Sequence, residues 1–407
     1  MAVTRVALLL IGVAGAVLRP FRLPSWVLPL VCAVVVVAIG GISVSATRHA
    51  LDPLASPVGF LLAAVPLAVL LDELGFFASL AEILGGSGRS SGGLWVLAAL
   101  VTTVLNLDAA VVLLTPLYVR IGRRTGRDPL TLAFQPVLLA CLASSALPVS
   151  NLTNLIAASW TSASTVSFIT HLGLPSLVAS AVGWWLYRWY LHPDRRSAES
   201  FGPATVYPAT GSPAPVGDRR ALTVGGVVVG LVLVGFVGGR SFGIQPWVVA
   251  LGADLVLLGI VRRVPWRHVP WGTALVAGSL GVLAAAAVAH LHVASVVRGG
   301  GTLALARTVG VTALAANVIN NLPALLVALP AVGHHATPAV WAVMMGVNMG
   351  PVLLVTGTLA SLLWLDALGR LGVEVHARDF TRVGLRVGLP AAGAGTAVFL
   401  ALTAAIH

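Results

Sequence analysis

Residues 311–326 read Val311-Thr312-Ala313-Leu314-Ala315-Ala316-Asn317-Val318-Ile319-Asn320-Asn321-Leu322-Pro323-Ala324-Leu325-Leu326. Three asparagines and a proline interrupt a run that is otherwise apolar enough for a membrane helix. Hydrocarbon cannot hydrogen-bond a backbone, so each carboxamide, and each carbonyl that Pro323 frees, needs a partner from protein, water or ligand. A broken helix at membrane depth is tolerated where it is buried in protein or lines a cavity. Asn320-Asn321-Leu322-Pro323 therefore reads as the floor of a site inside a bilayer, and the rest of the chain as its frame.

Composition supports that reading. Of 407 residues, 58% are hydrophobic and only 9% charged, against about 25% charged in soluble domains, and mean hydropathy is +0.97. The apolar runs have helix length and lack the short alternating segments of a barrel. The fold class expected is an all-α polytopic membrane protein. No cleavable leader pattern stands apart at the start, so the first apolar run is expected to be a retained helix. Net charge is +11, every basic residue is Arg, and the chain has no Lys. These arginines lie in short loops between apolar runs, where the positive-inside rule accounts for them without a nucleic-acid partner. Arg without Lys, with abundant Ala, Gly, Val and Pro, suggests a GC-rich bacterial genome and hence a bacterial inner (plasma) membrane. Cys32 and Cys141 fall in separate apolar segments, with no metal spacing and no need of a disulfide. No phosphate loop is present. The chain is expected to be no enzyme and to need no cofactor or metal.

Along the chain, apolar segments at 3–18, 24–46 and 54–71 precede a polar stretch. Next, 94–119 is interrupted by Asn106-Leu107-Asp108, and 131–160 is broken between Ser144 and Asn154. A span at 172–190 ends in an aromatic belt (Trp184, Trp185, Tyr187, Trp189, Tyr190) with Arg188. A Pro/Ser/Gly/Arg-rich stretch at 191–220 reads as a cytoplasmic linker. The pattern then recurs. Spans at 221–239, 246–261 and 271–290 precede an interrupted 302–330, a broken 339–365 and a last span at 383–405. Matching Pro148 to Pro351 sets Ser145 opposite Asn348 and Thr153 opposite Thr356. The chain thus divides into a first transmembrane repeat (1–190), the linker (191–220) and a second repeat (221–407). If 94–119 and 302–330 are re-entrant hairpins, each repeat has five full crossings, and the second lies inverted with respect to the first. Loops carrying Arg120–Arg127, Arg262–Arg267 and Arg370–Arg382 then share one side, as the positive-inside rule requires. Two inverted repeats, each with five spans, a re-entrant hairpin and a broken helix, describe a secondary transporter with a midplane site.

The candidate residues follow. Asp108 lies between Leu107 and Ala109, and an acid at the centre of a membrane helix costs at least about 2.5 kcal/mol. It is expected to serve binding or proton coupling; the competing reading is a cap on the following half-helix. Asp254 is a second intramembrane acid, in a scaffold-type span, open equally to proton coupling and to a structural pairing. Asn106, Ser150, Asn151, Thr153, Asn154, Asn317, Asn320, Asn321, Asn348, Thr356 and Thr358 form neutral clusters of donors and acceptors. Such a set suits a small neutral solute or a dehydrated cation better than a multiply charged anion; the competing reading is that they cap broken helix ends. His334-His335 reads as a solvated loop pair rather than a metal site.

Several stretches resemble the arsenical pump membrane proteins, the arsenite/antimonite efflux permeases of the ion transporter superfamily. Leu70-Leu71-Asp72-Glu73-Leu74-Gly75-Phe76-Phe77 is similar to that family's Leu-Leu-Asp-Glu-Ser-Gly-Phe-Phe. Asp108 to Pro116 resembles its Asn-Asp-Gly-Ala-Ala…Thr-Pro segment. Leu147-Pro148-Val149-Ser150-Asn151-Leu152-Thr153-Asn154 resembles its Leu-Pro…Val-Ser-Asn-Leu-Val-Asn run, and Asn320-Asn321-Leu322-Pro323 its Asn-Asn-Met-Pro. Gly357 to Leu365 resembles its Gly-Ser-Leu-Ala-Thr-Leu-Leu-Trp-Leu. Where the family has Asp-Leu-Gly-Pro-Lys, this chain has Asn348-Met349-Gly350-Pro351-Val352, without acid or lysine. Leu107 also replaces the family's Asn before the aspartate. The resemblance implies export of trivalent arsenic or antimony hydroxide in exchange for protons, in some systems driven by a separate soluble ATPase. A homodimer is also compatible with it. The alternative is a sodium- or proton-coupled carrier of another small solute, such as a dicarboxylate or sulfate, or a sodium/proton exchanger.

Overall fold

The computed structural model describes residues 2–18, 20, 23–85, 91–192, 218–290, 293–297, 299 and 301–406. The expected linker at 191–220 lies almost wholly outside them. Among the described residues no strand occurs. In the first half come α1 (Ala2–Leu18), α2 (Val27–Ala38), α3 (Val44–Glu73), α4 (Phe76–Gly85), α5 (Ser91–Val104), α6 (Leu107–Thr125), α7 (Pro129–Leu142), α8 (Leu152–Thr161) and α9 (Thr165–Leu191). In the second come α10 (Arg219–Gly238), α11 (Pro246–Val261), α12 (Trp271–Ala287), α13 (Ala294–Val297), α14 (Thr302–Ile319), α15 (Asn321–Val332), α16 (Pro338–Met349), α17 (Leu359–Arg370) and α18 (Ala377–Ala405). Among the described residues, six helices are long and apolar enough to cross a bilayer. This is an all-α polytopic membrane protein.

The element order of the first half recurs in the second, down to local irregularities. Helices α7 and α16 both start with proline in the first turn, where its missing N–H costs nothing. Each is followed by an irregular stretch, a single 3-10 turn (Pro148–Ser150, Val355–Gly357) and a side-chain-capped helix. Helices α9 and α18 each contain one π turn, Ile169–Gly173 and Gly384–Gly388, and pack on each other. The caps of α8 and α17 are Asn151 and Thr358. That register differs by four residues from the proline match: Cys141, not Ser145, stands opposite Asn348. The prolines mislead because Pro148 opens the 3-10 turn, whereas Pro351 belongs to the irregular stretch before it.

Contacts between the halves also come in matched pairs. Trp26, at the start of α2, packs on Gly272 of α12, and Trp247 of α11 packs on Gly59 of α3. Helix α17 lies on α6 as α8 lies on α15. Trp364 donates its indole N–H to the Ala133 carbonyl at 2.7 Å and stacks near Phe134, tying α17 to α7. At one end of the bundle Arg123 donates to the Leu371 carbonyl at 2.7 Å and Arg386 lies over the Tyr190 ring. At the other, Trp160 donates to the Gly333 carbonyl at 3.1 Å and stacks on His334, His171 stacks on Trp341, and Thr165 donates to the Phe236 carbonyl. The 120–127 arginine loop thus shares an end with Arg370, while His334 lies at the end without those arginines.

Candidate functional site

Each half contributes two backbone breaks at the centre of the fold. In the first half the apolar run stops at Leu105–Asn106 and resumes as α6. Asn106 is the cap: its Oδ1 accepts from the Asp108 N–H at 2.8 Å. Asp108 is therefore not the cap but sits in the first turn, where the positive end of the helix dipole favours a carboxylate. In the second half the break falls at Asn320, whose Oδ1 likewise accepts from the Leu322 N–H at 3.3 Å. Pro323 does not cause this break. It is the third residue of α15, where backbone N–H groups have no intrahelical partner to lose. The break comes from Asn320 itself, held at φ +76° and ψ 152°.

The second-half tip is closed by its own bonds. Asn317 Nδ2 donates to the carbonyls of Ala313 (2.9 Å) and Gly350 (2.8 Å), while its Oδ1 accepts from the N–H groups of Leu353 (3.1 Å) and Leu354 (3.0 Å). Thr356 Oγ1 donates to the Asn317 carbonyl at 3.2 Å, and Asn320 Nδ2 donates to the Thr356 carbonyl at 3.0 Å. Thr358 caps α17 through the Ser361 N–H at 3.0 Å. A Cβ at Gly346 would collide with Thr312 Oγ1, so only glycine lets α16 come this close to α14 and deliver Gly350 to Asn317.

From the last turn of α16, Asn348 reaches into the other half. Its Oδ1 accepts from Thr153 Oγ1 (2.7 Å) and Asn151 Nδ2 (3.2 Å), and its Nδ2 donates to Asn154 Oδ1 (2.6 Å). Asn154 Nδ2 in turn donates to the Ser144 and Leu147 carbonyls, both at 2.8 Å. Ser150 Oγ donates to the same two carbonyls at 2.7 and 2.6 Å. All these side chains are buried, and every partner is neutral.

The first-half tip follows the same plan with fewer bonds. Thr103, in the place of Asn317, donates to the Ala143 carbonyl at 3.1 Å, as Asn317 does to Gly350. Asn106, in the place of Asn320, caps its helix, yet its Nδ2 is buried with no partner. Asp108 Oδ1, Ser144 Oγ and Ser145 Oγ are likewise buried and unpartnered. An unpaired buried polar group costs about 1–3 kcal/mol, so each of these four atoms calls for a ligand or water partner. Of the expected residues, the structure joins Ser150, Asn151, Thr153, Asn154 and Asn348 in one network and Asn317, Asn320 and Thr356 in a second. Thr358 acts locally as a cap, and Asn321 is buried in the first turn of α15. Asp254 stands apart, on the stripe that α11 buries. Thr103, Ser144 and Ser145 were not among the expected residues. Ser144-Ser145 at the start of a break was the available signal.

Comparison with known proteins fits this architecture. The family model described as CitMHS, citrate transporter, matches residues 6–359. The arsenical pump membrane protein of Escherichia coli K12 is 28% identical over 361 residues, covering 81% of this chain and 82% of that protein. The protein of the same name from Yersinia enterocolitica is 26% identical over 357 residues, with the same coverage. Among solved structures, Neisseria gonorrhoeae MtrF, described as illuminating a class of antimetabolite efflux pumps, aligns with TM-score 0.54 at 14% identity. That alignment covers 88% of this chain and 82% of MtrF. The Alcanivorax borkumensis YdaH transporter aligns with TM-score 0.52 at 14% identity, covering 92% and 96%.

Proposed function

Since the chain belongs to the citrate transporter family, and is a multi-pass transporter of the bacterial inner membrane, we propose that it exports the neutral hydroxides of trivalent arsenic or antimony in exchange for protons. The observation that carries this reading is the state of Asp108: one carboxylate with an unpaired buried oxygen, next to the amide of Asn106 and without an ion pair to any cation among the described residues. A polycarboxylate such as citrate would bring several negative charges to a site whose described side chains offer no positive charge to meet them, at a desolvation cost of several kcal/mol per ion. Arsenious acid is a neutral triol near pH 7, and its hydroxyls both donate and accept. They match the unpaired set of Asn106 Nδ2, Asp108 Oδ1, Ser144 Oγ and Ser145 Oγ. Cys32 and Cys141 lie on α2 and α7, and nothing gathers three thiolates that would trap arsenic too tightly for release.

Exchange follows from competition at one group. Ionised Asp108 accepts a strong, charge-assisted hydrogen bond from a solute hydroxyl; protonated Asp108 is a much weaker acceptor and presents its own O–H instead. A proton arriving from outside releases the solute, and loss of that proton inside readies the site again. The two halves act as inverted repeats in this scheme, with the breaks at Asn106 and Asn320 as tips of re-entrant hairpins. Supporting that arrangement are the matched element order and the arginine loops that meet at one end. The exchange consumes no nucleotide, so an ATPase subunit would add driving force rather than chemistry.

The test is uptake into everted vesicles bearing the protein, with an imposed proton gradient. Arsenite accumulation that a protonophore abolishes is the expected result. Accumulation of citrate, succinate or sulfate in place of arsenite would overturn the substrate assignment, and dependence on sodium in place of protons would overturn the coupling.

A further inference from the structure

Asp254 is 5% exposed, and its Oδ1 is buried without a hydrogen-bond partner. It belongs to the stripe Ala250, Asp254, Leu257 that α11 buries. The elements packed on α11 are α3, α10 and the turn Gly239–Phe242. Their charged and titratable residues sit at the ends of the helices. On α3 these are Arg48, His49 and Asp52 at the start and Asp72 and Glu73 at the close; on α10 they are Arg219 and Arg220; in the turn it is Arg240. From Gly59 to Val69 on α3, and from Val224 to Gly238 on α10, no side chain can donate a hydrogen bond. An ionised carboxylate requires donors, and these two stretches of the helices packed on α11 offer none.

They do offer an acceptor. Ser56 Oγ donates to Gln245 Oε1 at 3.2 Å, and Trp247 packs on Gly59, so α3 and α11 ascend together from these pairs. Asp254 follows Trp247 by the same number of residues as Pro66 follows Gly59, which puts the acid level with that proline. Pro66 is inside α3 and has no N–H, so the carbonyl of Leu62, four residues earlier, loses its helical donor. The other half provides a comparison. Trp26 packs on Gly272 in the same way, but the next positions in that register are Ala33 and Ser279. Acid and proline occur together in one of the two matched joints between the halves and are both missing from the other.

We propose that the Asp254 carboxyl carries a proton in the folded protein and donates a hydrogen bond to the Leu62 carbonyl that Pro66 leaves open, making the α3–α11 joint a proton-holding site separate from Asp108. The joint fastens α11 of the second half to α3 of the first. Helix α3 in turn packs on α6 and α8, which carry Asp108 and the Thr153–Asn154 pair. Asp254 therefore serves the site by holding its frame and does not turn over a proton with each solute.

Dicyclohexylcarbodiimide tests this, because it adds to protonated carboxyls in apolar surroundings. Leu251 and Leu255, on the exposed side of α11, leave the helix open to reagent dissolved in lipid. Membranes containing the Asp108→Asn protein would be treated at neutral pH and the peptide bearing Asp254 read by mass spectrometry. One intact carbodiimide on Asp254, absent from an Asp254→Asn control, is expected; an unmodified Asp254 at neutral pH overturns the proposal. A second reading uses thermal unfolding in detergent. Asp254→Asn, whose amide still donates, should melt with the wild type, and Asp254→Leu well below it. In a Pro66→Ala background, where Leu62 regains a helical donor, the two variants should converge. Equal melting of the Asn and Leu variants with Pro66 present would also overturn it.

Discussion

Asp108 is placed by Asn106, which takes the capping role and leaves the acid in the first turn of α6 with an oxygen unspent. Asp108→Asn keeps the shape and the neutral cluster but removes the group that proton and solute compete for. It should abolish proton-driven arsenite uptake in everted vesicles while leaving yield and melting temperature unchanged; normal uptake would reduce Asp108 to a structural residue. Asn348 supports the complementary experiment. Its Nδ2 is the donor to Asn154 Oδ1 at 2.6 Å, and a carboxylate there would set acceptor against acceptor. Asn348→Asp should lower stability by about 1–3 kcal/mol, the cost of an unmet buried polar group, measured as a fall in melting temperature near neutral pH.

At the scale of elements, the breaks are held by short-range backbone chemistry. Asn320 holds φ +76° and ψ 152°, a sparsely populated region that costs a non-glycine residue of order 1–3 kcal/mol. Its side chain offsets that strain with a cap and a bond to the Thr356 carbonyl. Asn320→Gly should remain folded, exchanging strain for a lost cap, whereas Asn320→Ala keeps the strain and loses both bonds; melting temperatures of the pair should separate accordingly. Gly346 sets how closely α16 approaches α14. Gly346→Ala should cost about 1–3 kcal/mol or more through overpacking, seen as reduced yield of folded protein, because Thr312 and the α14 backbone have nowhere to retreat.

For the whole molecule, the loop contacts predict sidedness. Arg123 bonds to Leu371, and Trp160 to Gly333, at opposite ends. In a background lacking Cys32 and Cys141, single cysteines replacing Arg124 and Arg370 should be shielded from a membrane-impermeant thiol reagent in intact cells. A cysteine replacing His335 should be labelled. Labelling of all three from one side would contradict the inverted arrangement of the halves. The asymmetry between the tips also belongs to this scale. The second tip leaves neither the Asn317 nor the Asn320 amide nitrogen without a partner, while the first leaves Asn106, Asp108, Ser144 and Ser145 with unpaired atoms.

Solvent choice was already written in the composition, since a chain with 9% charged residues cannot cover itself against water and must satisfy its backbone in helices. The positions of the breaks were legible too, because polar residues inside apolar runs have few physical explanations. Which residue makes each break was less so: proline drew attention at 323, but only the backbone angles reveal that Asn320 turns the chain. The tertiary structure alone decided the partnerships. Asn348 meets Asn151, Thr153 and Asn154 across almost two hundred residues of sequence, and the register of the halves follows capping turns rather than matched prolines. Thr103 and Ser144 gain meaning only once α5 is laid beside the loop after α7. A carboxamide looks the same in the sequence whether its hydrogen bonds are spent or free, and that difference depends on what packing brings within about 3 Å.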